Sequence, residues 1–388
     1  MALPLSYNVR SVRARWRVTV LAICSIALVV AVVDVLMSMS EGFATALRST
    51  GRADNAMITE RGSAAELAST VTLAQRNVIL DDSRVARGAD GQALASWDWV
   101  TVIALPKKAN GRRARVRLRV VSARAFEVRG GIRMTAGRRF TRGLDEVIVG
   151  QRIIDRVRGL ALDGTVRFRR KEFKIVGVFE SEGAAYESEI WADFDTVGPL
   201  FGRGTEAKCM VVRMKDAGEI PALDRWMRNQ PGMKLQAIPE SGYYENQSGL
   251  VSTTLKALAA LVAVFMGAGA VFGAMNTMYA IVAARTREIG TLRALGFSRW
   301  AILFSFMVEA VMLAGLGGIV GLLGVFGISL MTFSIMNFQT FSQIVIALKA
   351  TPSVLISSIL FAAIMGLVGG MVPAIRAALV SPVEAMRG

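Results

Sequence analysis

Four long apolar segments separate the polar parts of the chain, at residues 18–39, 256–284, 301–336 and 353–375. A helix needs roughly 20 apolar residues to cross the ~30 Å hydrocarbon core of a bilayer. Each segment reaches that length, so the pattern predicts four transmembrane helices. The stretch between the first and second segments, residues 40–255, is polar enough to form a separate folded domain.

Two acidic residues interrupt the apolar segments, Asp34 in the first and Glu309 in the third. The many Val, Leu and Ile residues around Asp34 outweigh the cost of one carboxylate, about 3 kcal/mol at a helix centre. An acid inside a membrane can be a proton or substrate site. The simpler interpretation, which we favour for both residues, is a helix-end group that faces water or a neighbouring helix.

The Lys and Arg residues outside the large polar segment predict the orientation of the chain. Ten of the twelve lie in the N-terminal tail, in the turn between the second and third apolar segments, or in the C-terminal tail: Arg10, Arg13, Arg15, Arg17, Arg285, Arg287, Arg293, Arg299, Arg376 and Arg387. Only Lys256 and Lys349 lie on the other side. Basic loops stay in the cytoplasm. We therefore expect a multi-pass membrane protein with both termini in the cytoplasm. Its amphipathic tail 1–17, its turn 285–300 and its tail 376–388 are expected in the cytoplasm, and the loop 337–352 outside.

The outward segment is predicted to be a mixed α/β domain. Glu146 to Val149, Phe173 to Phe179, Lys208 to Met214 and Met233 to Ile238 have the pattern of strands, and Ile220 to Arg228 that of a helix. The run GRRARVRLRV from Gly111 to Val120 resembles a nucleic-acid or heparin patch. Its charges alternate with apolar residues, however, and we favour a half-buried strand with a basic solvent face. No nucleic-acid partner is expected.

The composition excludes several kinds of catalytic and metal site. The chain carries 46 Lys+Arg, 30 Asp+Glu, no histidine and two cysteines, with a net charge of +16. Without histidine there is no Ser-His-Asp triad and no imidazole metal site. The sequence also contains no G-x-x-x-x-G-K-[ST] phosphate loop. We expect no enzyme activity, no catalytic residue and no cofactor or metal bound by this chain, and a buried apolar role for Cys209.

The turn ARTREIGTLRALGFSRW, from Ala284 to Trp300, predicts a short amphipathic helix. Glu288 lies in its first turn, and Gly296 is a natural stop after the last turn. Ile289, Leu292 and Leu295 form an apolar stripe, and Arg285, Arg287, Arg293 and Arg299 surround it. Such a helix either lies on anionic headgroups or docks into a groove of a soluble partner. The residues alone favour neither alternative.

This turn resembles the signature of the FtsX-like/MacB-like permease family of ABC transporters, in which R-T-R-E-I-G-x-x-R-A-x-G follows the second transmembrane helix. The matching residues are Arg285, Thr286, Arg287, Glu288, Ile289, Gly290, Arg293, Ala294 and Gly296. Residues 269–278 and 308–324, including Glu309, resemble the helices on either side of the family's signature. The C-terminus resembles the family's ending through Pro373, Ala377, Pro382, Glu384, Ala385 and Arg387. Parts of residues 130–240 resemble the family's periplasmic core domain.

The resemblance implies a four-helix permease subunit of the bacterial inner membrane that works as a dimer with two copies of an ATPase. Arg285 to Gly296, including Leu292 and Leu295, would be the coupling helix that contacts this ATPase. ATP and Mg would bind only to that separate subunit. Its hydrolysis would move the periplasmic domain and drive export or extraction by mechanotransmission, as in macrolide exporters and lipoprotein-releasing systems.

The resemblance leaves several points open: the cargo, a homodimer or a heterodimer with a second permease, and the use of a periplasmic adaptor and an outer-membrane channel. The alternative function is an FtsX-type regulator that transports nothing and activates a periplasmic cell-wall hydrolase. The size of the outward domain favours the exporter branch.

Glycines recur at helical spacings in the last three apolar segments. They are Gly269, Gly273, Gly317, Gly318, Gly321, Gly324, Gly327, Gly366 and Gly370. Small residues let membrane helices approach closely, whereas scattered glycines are also common in such helices. Their shared spacing favours a role in helix packing.

Overall fold

The computed structural model describes residues 16–63, 65–202, 205–329, 332–337 and 339–381. The chain divides into a helical unit, residues 1–41, 253–331 and 347–388, and an α/β unit, residues 42–252 and 332–346. The N-terminal tail up to residue 15, and Pro382, Glu384, Ala385 and Arg387 of the C-terminal motif, lie outside the described residues.

The described residues form the following helices and strands. The helices are α1 Trp16–Arg48, α2 Leu73–Leu80, α3 Ala125–Arg129, α4 Gln151–Ile154, α5 Phe194–Val197, α6 Ile220–Asn229, α7 Glu240–Ala284, α8 Thr286–Ala294, α9 Arg299–Ser329 and α10 Pro352–Leu379. The strands are β1 Asn55–Glu60, β2 Ala95–Pro106, β3 Arg113–Val121, β4 Arg133–Gly137, β5 Glu146–Gly150, β6 Thr165–Phe168, β7 Lys171–Glu180, β8 Glu189–Asp193, β9 Cys209–Arg213, β10 Leu235–Pro239, β11 Thr332–Asn337 and β12 Ser342–Ala347.

Among the described residues, the helices long and apolar enough to cross a membrane are α1, α7, α9 and α10, as the sequence predicts. Two of them extend beyond the apolar segments. Helix α1 continues to Arg48, and α7 begins at Glu240, well before the predicted start at 256. Both extensions belong to the α/β unit from Gly42 onward and up to Ser252, so each of these helices runs through both units.

The third apolar segment differs from its prediction. Helix α9 ends at Ser329 instead of continuing to 336, and the chain forms the hairpin β11–β12, where we expected only a short loop. Thr332 to Asn337 reads TFSIMN, which is almost as apolar as the end of a membrane helix. Hydropathy therefore does not mark where helix gives way to strand, although β-branched and aromatic residues favour the strand.

The α/β unit contains a ten-stranded mixed sheet in the order β10-β1-β9-β2-β3-β8-β5-β7-β4, with β6 paired to β7. Strand β3 runs parallel to β8, and β5 parallel to β7, while the other pairs are antiparallel. One apolar core lies around β3, β5, β7 and β8, and a second around β1, β9 and α6. Cys209 is buried, as expected.

Strand β3 carries the basic run, and half of its predicted solvent face is buried. Arg113 and Arg115 are exposed, but Arg117 and Arg119 are 3% and 0% exposed. Arg119 bonds three carboxylates, with nitrogen–oxygen distances of 2.7 Å to Glu189, 3.0 Å to Asp98 and 3.0 Å to Glu66. The expectation of a basic solvent face is therefore wrong for this half of the strand.

The buried half of β3 is covered by residues distant in the sequence. The guanidinium of Arg119 lies over the Tyr186 ring, and the Tyr244 hydroxyl, from α7, donates to Glu66 at 3.1 Å. Burial alone would raise the pKa of Glu189, but Arg119 and Arg117 hold it below its usual range. Burial would lower the pKa of Arg119, yet Glu189 and Glu66 raise it well above normal. Both groups are therefore ionised.

Candidate functional site

Helix α8 is a short helix with defined ends between the two long helices α7 and α9. Gly296 has a φ of 94°, a left-handed backbone conformation that glycine adopts freely and that would be strained for a residue with a side chain. Its amide donates to the Arg293 carbonyl at 3.1 Å, and the Phe297 amide donates to the Leu292 carbonyl at 3.1 Å. These two bonds make a Schellman motif, which satisfies the last carbonyls of the helix. The predicted stop at Gly296 is confirmed.

The apolar stripe of α8 does not face outward as one surface. Ile289 is only 2% exposed and packs in a cluster with Met278, Ile302 and Phe306. Leu292 is half-buried, whereas Leu295 is 73% exposed. The stripe predicted to fill a partner's groove is therefore split, because its first residue already fills a space inside the helical unit.

Arg285 holds α8 against α9. It is 3% exposed, and its Nη1 lies 3.0 Å from Oε2 of Glu309, which is 1% exposed. Its Nε lies 3.2 Å from Glu288, and its guanidinium stands over the Phe306 ring. The expectation that Arg285 belongs to a polar surround is wrong, because the buried carboxylate on α9 provides its partner inside the chain.

The outer surface of α8 is made by the other residues of the motif. Arg287, Glu288, Thr291 and Ala294 are exposed, Thr286 and Arg293 are half-buried, and Gly290 is buried. Beyond the stop, Trp300 in the first turn of α9 is 77% exposed. Leu295 and Trp300 are thus exposed apolar side chains beside a basic helix. Trp300 lies outside the predicted coupling helix, although its large apolar ring next to Arg299 is a signal that the sequence offers.

Both intramembrane acids contact a neighbouring element, as the simpler interpretation expects, but neither lies at a helix end: Asp34 is near the middle of α1 and Glu309 is well inside α9. Glu309 pairs with Arg285 as described. Asp34 is fully buried, and the Ser358 hydroxyl of α10 donates to its Oδ1 at 2.9 Å. This bond connects the first and last membrane helices, and a polar bond in an apolar surrounding helps to fix their register.

Five of the nine predicted glycines lie where helices meet. A Cβ at Gly317 or Gly318 would come within 2.9 Å of a neighbouring side chain, and one at Gly321 within 2.7 Å of the Ala27 carbonyl oxygen. The neighbours are Ile26 for Gly317, Ala362 for Gly318, Ala27 and Val30 for Gly321, Ala314 for Gly366 and Ala310 for Gly370. Contacts this short leave no room for a side chain.

The other four glycines lie in more open positions. The Cβ position of Gly273 is 3.9 Å from the Ser25 hydroxyl, an ordinary contact, and Gly269, Gly324 and Gly327 have no described neighbour within 4 Å. Gly369 is not among the nine predicted glycines, but a Cβ at its position would lie 3.1 Å from the Ala274 methyl group. The glycine pattern therefore contains a packed set and an open set, which sequence spacing does not separate.

Four membrane-spanning helices, with an α/β unit inserted mainly between the first two, define a multi-pass membrane protein with a large polar domain. A family model described as MacB-like periplasmic core domain matches residues 19–230, more than half of the chain. A second, described as FtsX-like permease C-terminal, matches residues 260–382, which include α8. The chain belongs to this MacB/FtsX family of ABC transporter permeases.

Two sequence relatives agree with the family models. The uncharacterized ABC transporter permease YvrN of Bacillus subtilis is 27% identical over 284 residues, which cover 66% of each protein. The macrolide export ATP-binding/permease protein MacB of Mannheimia succiniciproducens is 28% identical over 237 residues, 58% of this chain. The matched part spans 35% of that MacB. The crystal structure of the periplasmic region of MacB from Actinobacillus actinomycetemcomitans aligns with 52% of this chain and 96% of its own, at 14% identity and a TM-score of 0.38.

Proposed function

We propose that the chain is the permease subunit of an ABC transporter that couples ATP hydrolysis by a separate ATPase to motion of its α/β unit. That motion drives export or extraction of a substrate. The ATPase is a dimer that carries ATP and Mg, and it serves two permease subunits. The observation that carries the proposal is helix α8, which is capped at its end, fastened on one side and exposed on the other.

A partner that contacts the exposed side of α8 would move more than this helix. Its other side is held by Ile289 in the apolar cluster and by the pair between Arg285 and Glu309. Well-packed interiors transmit displacement because they resist compression. A push on Leu295 would therefore be passed to α9, and through the short turn at Arg285 to α7, whose first residues belong to the α/β unit.

The proposed docking residues are Leu295 and Trp300. Trp is enriched among the anchors of protein interfaces, and truncation of such an anchor costs about 2 kcal/mol or more. Leu295 is the other large apolar side chain exposed at this end of α8. The cations Arg287 and Arg299, exposed nearby, would affect the association rate more than the affinity. This choice replaces Ile289, whose side chain is already enclosed.

The proposal is tested by co-purification with the separate ATPase subunit that it requires, followed by ATPase assays in lipid nanodiscs. Leu295→Ala with Trp300→Ala should weaken binding at least tenfold, because the loss of a single anchor of about 2 kcal/mol already exceeds that factor. The double variant should also lose substrate-stimulated turnover. Phe304→Ala is the matched control, because Phe304 is 70% exposed but lies one helical turn beyond Trp300, inside the apolar segment that begins at residue 301. Unchanged binding and turnover in the double variant would reject docking through α8.

The proposed orientation places α8 and both termini in the cytoplasm and the α/β unit outside. The charge split between the two sides supports it. Reporter fusions after Arg10, at Phe297 and at Gly388 should report cytoplasm, and fusions at Gly111 and Phe341 should report the outside. A cytoplasmic signal at Gly111 would overturn the orientation and with it the proposed coupling.

A further inference from the structure

The α/β unit contains a cavity of about 380 Å³ between the β3 end of the sheet and the hairpin β11–β12. Its polar wall includes Lys107, Arg115 and Arg156, together with Ser334 and Gln343 from the hairpin. The volume is within the range of pockets that hold small organic ligands, roughly 300–1,000 Å³.

The charges that line this cavity are unbalanced. Three cations face one carboxylate, that of Asp155, and none of the three forms an ion pair with any residue that the structure describes. Elsewhere in the same unit, Arg117 and Arg119 are neutralised by carboxylates on neighbouring strands. The cavity therefore carries positive charge that is not neutralised, in contrast to the charge of Arg117 and Arg119.

The floor of the cavity is apolar. Val116, Ile153 and Val157 line it and are 2%, 3% and 1% exposed, because they belong to the core around β3. Because these three side chains are almost fully covered, the apolar surface open to a ligand is mainly that of Ala109 and the aliphatic parts of Lys107 and Arg115. An inorganic anion would satisfy the cations but leave this apolar surface against water. A ligand that carries an apolar group beside its negative charge would cover both.

The hairpin wall is fixed to the rest of the unit. The Ser188 hydroxyl accepts from the Val345 amide at 2.9 Å, and Arg152 donates to the Val345 carbonyl at 3.3 Å. Arg156 bonds the Thr332 hydroxyl at 2.5 Å at the other strand of the hairpin. The walls of the cavity are therefore preorganised, so a ligand would not have to order them on binding.

We propose that this cavity binds an amphipathic anion, a phosphate or carboxylate group attached to an apolar chain or ring. The anionic group lies against Lys107 and Arg115, with Arg156 at the edge, and the apolar part lies against Ala109 and the aliphatic parts of these cations. Charge-assisted hydrogen bonds from Arg to a phosphate or carboxylate are about twice as strong as neutral ones.

The proposal is tested with hexyl phosphate as the probe and the full chain in nanodiscs of zwitterionic phosphatidylcholine, by titration calorimetry. Lys107→Gln with Arg115→Gln should lower the affinity about tenfold or more, since each charged hydrogen bond is worth at least that factor. Lys108→Gln with Arg113→Gln is the matched control. It removes the same two charges from exposed neighbours that do not line the cavity, and it should change the affinity less than about twofold.

Two further titrations define the ligand. Inorganic phosphate should bind more weakly than hexyl phosphate, because it leaves Ala109 and the aliphatic parts of the cations uncovered. Nanodiscs that contain phosphatidylglycerol identify the source of the anion. A lower affinity for the probe there shows that a lipid headgroup occupies the cavity, and an unchanged affinity shows that a soluble anion does.

Three outcomes would overturn the proposal: no binding of hexyl phosphate to the wild-type chain at millimolar concentration, equal losses in the two double variants, or equal affinities for hexyl and inorganic phosphate. Thermal unfolding of each variant in the same nanodiscs checks that both remain folded. Because these experiments contain no ATPase, their failure would leave the proposed coupling through α8 unaffected.

Discussion

The ion pair between Arg285 and Glu309 offers a sharp test of how α8 is held. Glu309→Gln keeps the shape of the side chain but removes its charge. The Arg285 guanidinium, 3% exposed, would then remain in an apolar cluster without its buried carboxylate. Removing one partner of a buried pair typically costs about 3–5 kcal/mol, because the other charge stays desolvated.

A loss of this size is measurable as a shift in thermal unfolding. One kcal/mol moves the midpoint by roughly 2–4 °C in a domain of 150–250 residues. We therefore expect Glu309→Gln to lower the midpoint in nanodiscs by at least about 5 °C. Glu288→Gln is the control, because Glu288 also contacts Arg285 but its side chain is 57% exposed. An exposed pair contributes about 1 kcal/mol or less, so the shift should be small.

A double variant separates stability from coupling. Arg285→Met with Glu309→Leu replaces both charges with apolar side chains, a change that is often neutral or stabilising. It should recover most of the lost thermal stability. The turnover stimulated by substrate should stay low if the ion pair also sets the position of α8. The reasoning is refuted if Glu309→Gln unfolds no earlier than Glu288→Gln.

The remaining predictions concern helix packing and pH. Gly321→Leu should lower the unfolding temperature of the helical unit, because its new side chain meets the Ala27 backbone, whereas Gly324→Leu should be tolerated; equal losses in both would contradict the division into packed and open glycines. Hydrogen bonds from the Arg138 side chain lower the pKa of Glu146 to about 2 from its ordinary 4.5. A lowered pKa means that the contribution of Glu146 is full above pH 4.5 and is lost as the pH falls towards 2. Glu146→Gln should thus unfold earlier than the wild type at pH 7, with a deficit that shrinks below pH 4.5; a deficit independent of pH would show that the charge is not responsible.

The sequence alone determined the membrane helices, the mixed α/β domain between the first two of them, and the stop of α8 at Gly296. These features depend on local properties: the length of an apolar run, the period of alternation along a strand, and the freedom of glycine to adopt positive φ. The motif from Arg285 to Gly296 also identified the family, which the matching family models confirm.

Only the tertiary structure decided which side of each element is covered. Arg117 and Arg119 continue the alternation of Arg113 and Arg115, yet Tyr244 and Glu66, distant in the sequence, bury the second pair. Periodicity defines the faces of a strand or helix, but burial depends on what packs against them.

The dependence of burial on packing also explains why the predicted faces of α8 differ from the observed ones. Ile289 and Leu295 lie on one predicted stripe, but Phe306 and Met278 enclose only the first, and Leu295 remains outside. Arg285 was expected among the exposed cations, and its partner Glu309 is 24 residues away, one membrane helix further on. Such ion pairs form only when the helices pack against each other, and a single sequence does not show which residues of two helices lie close together.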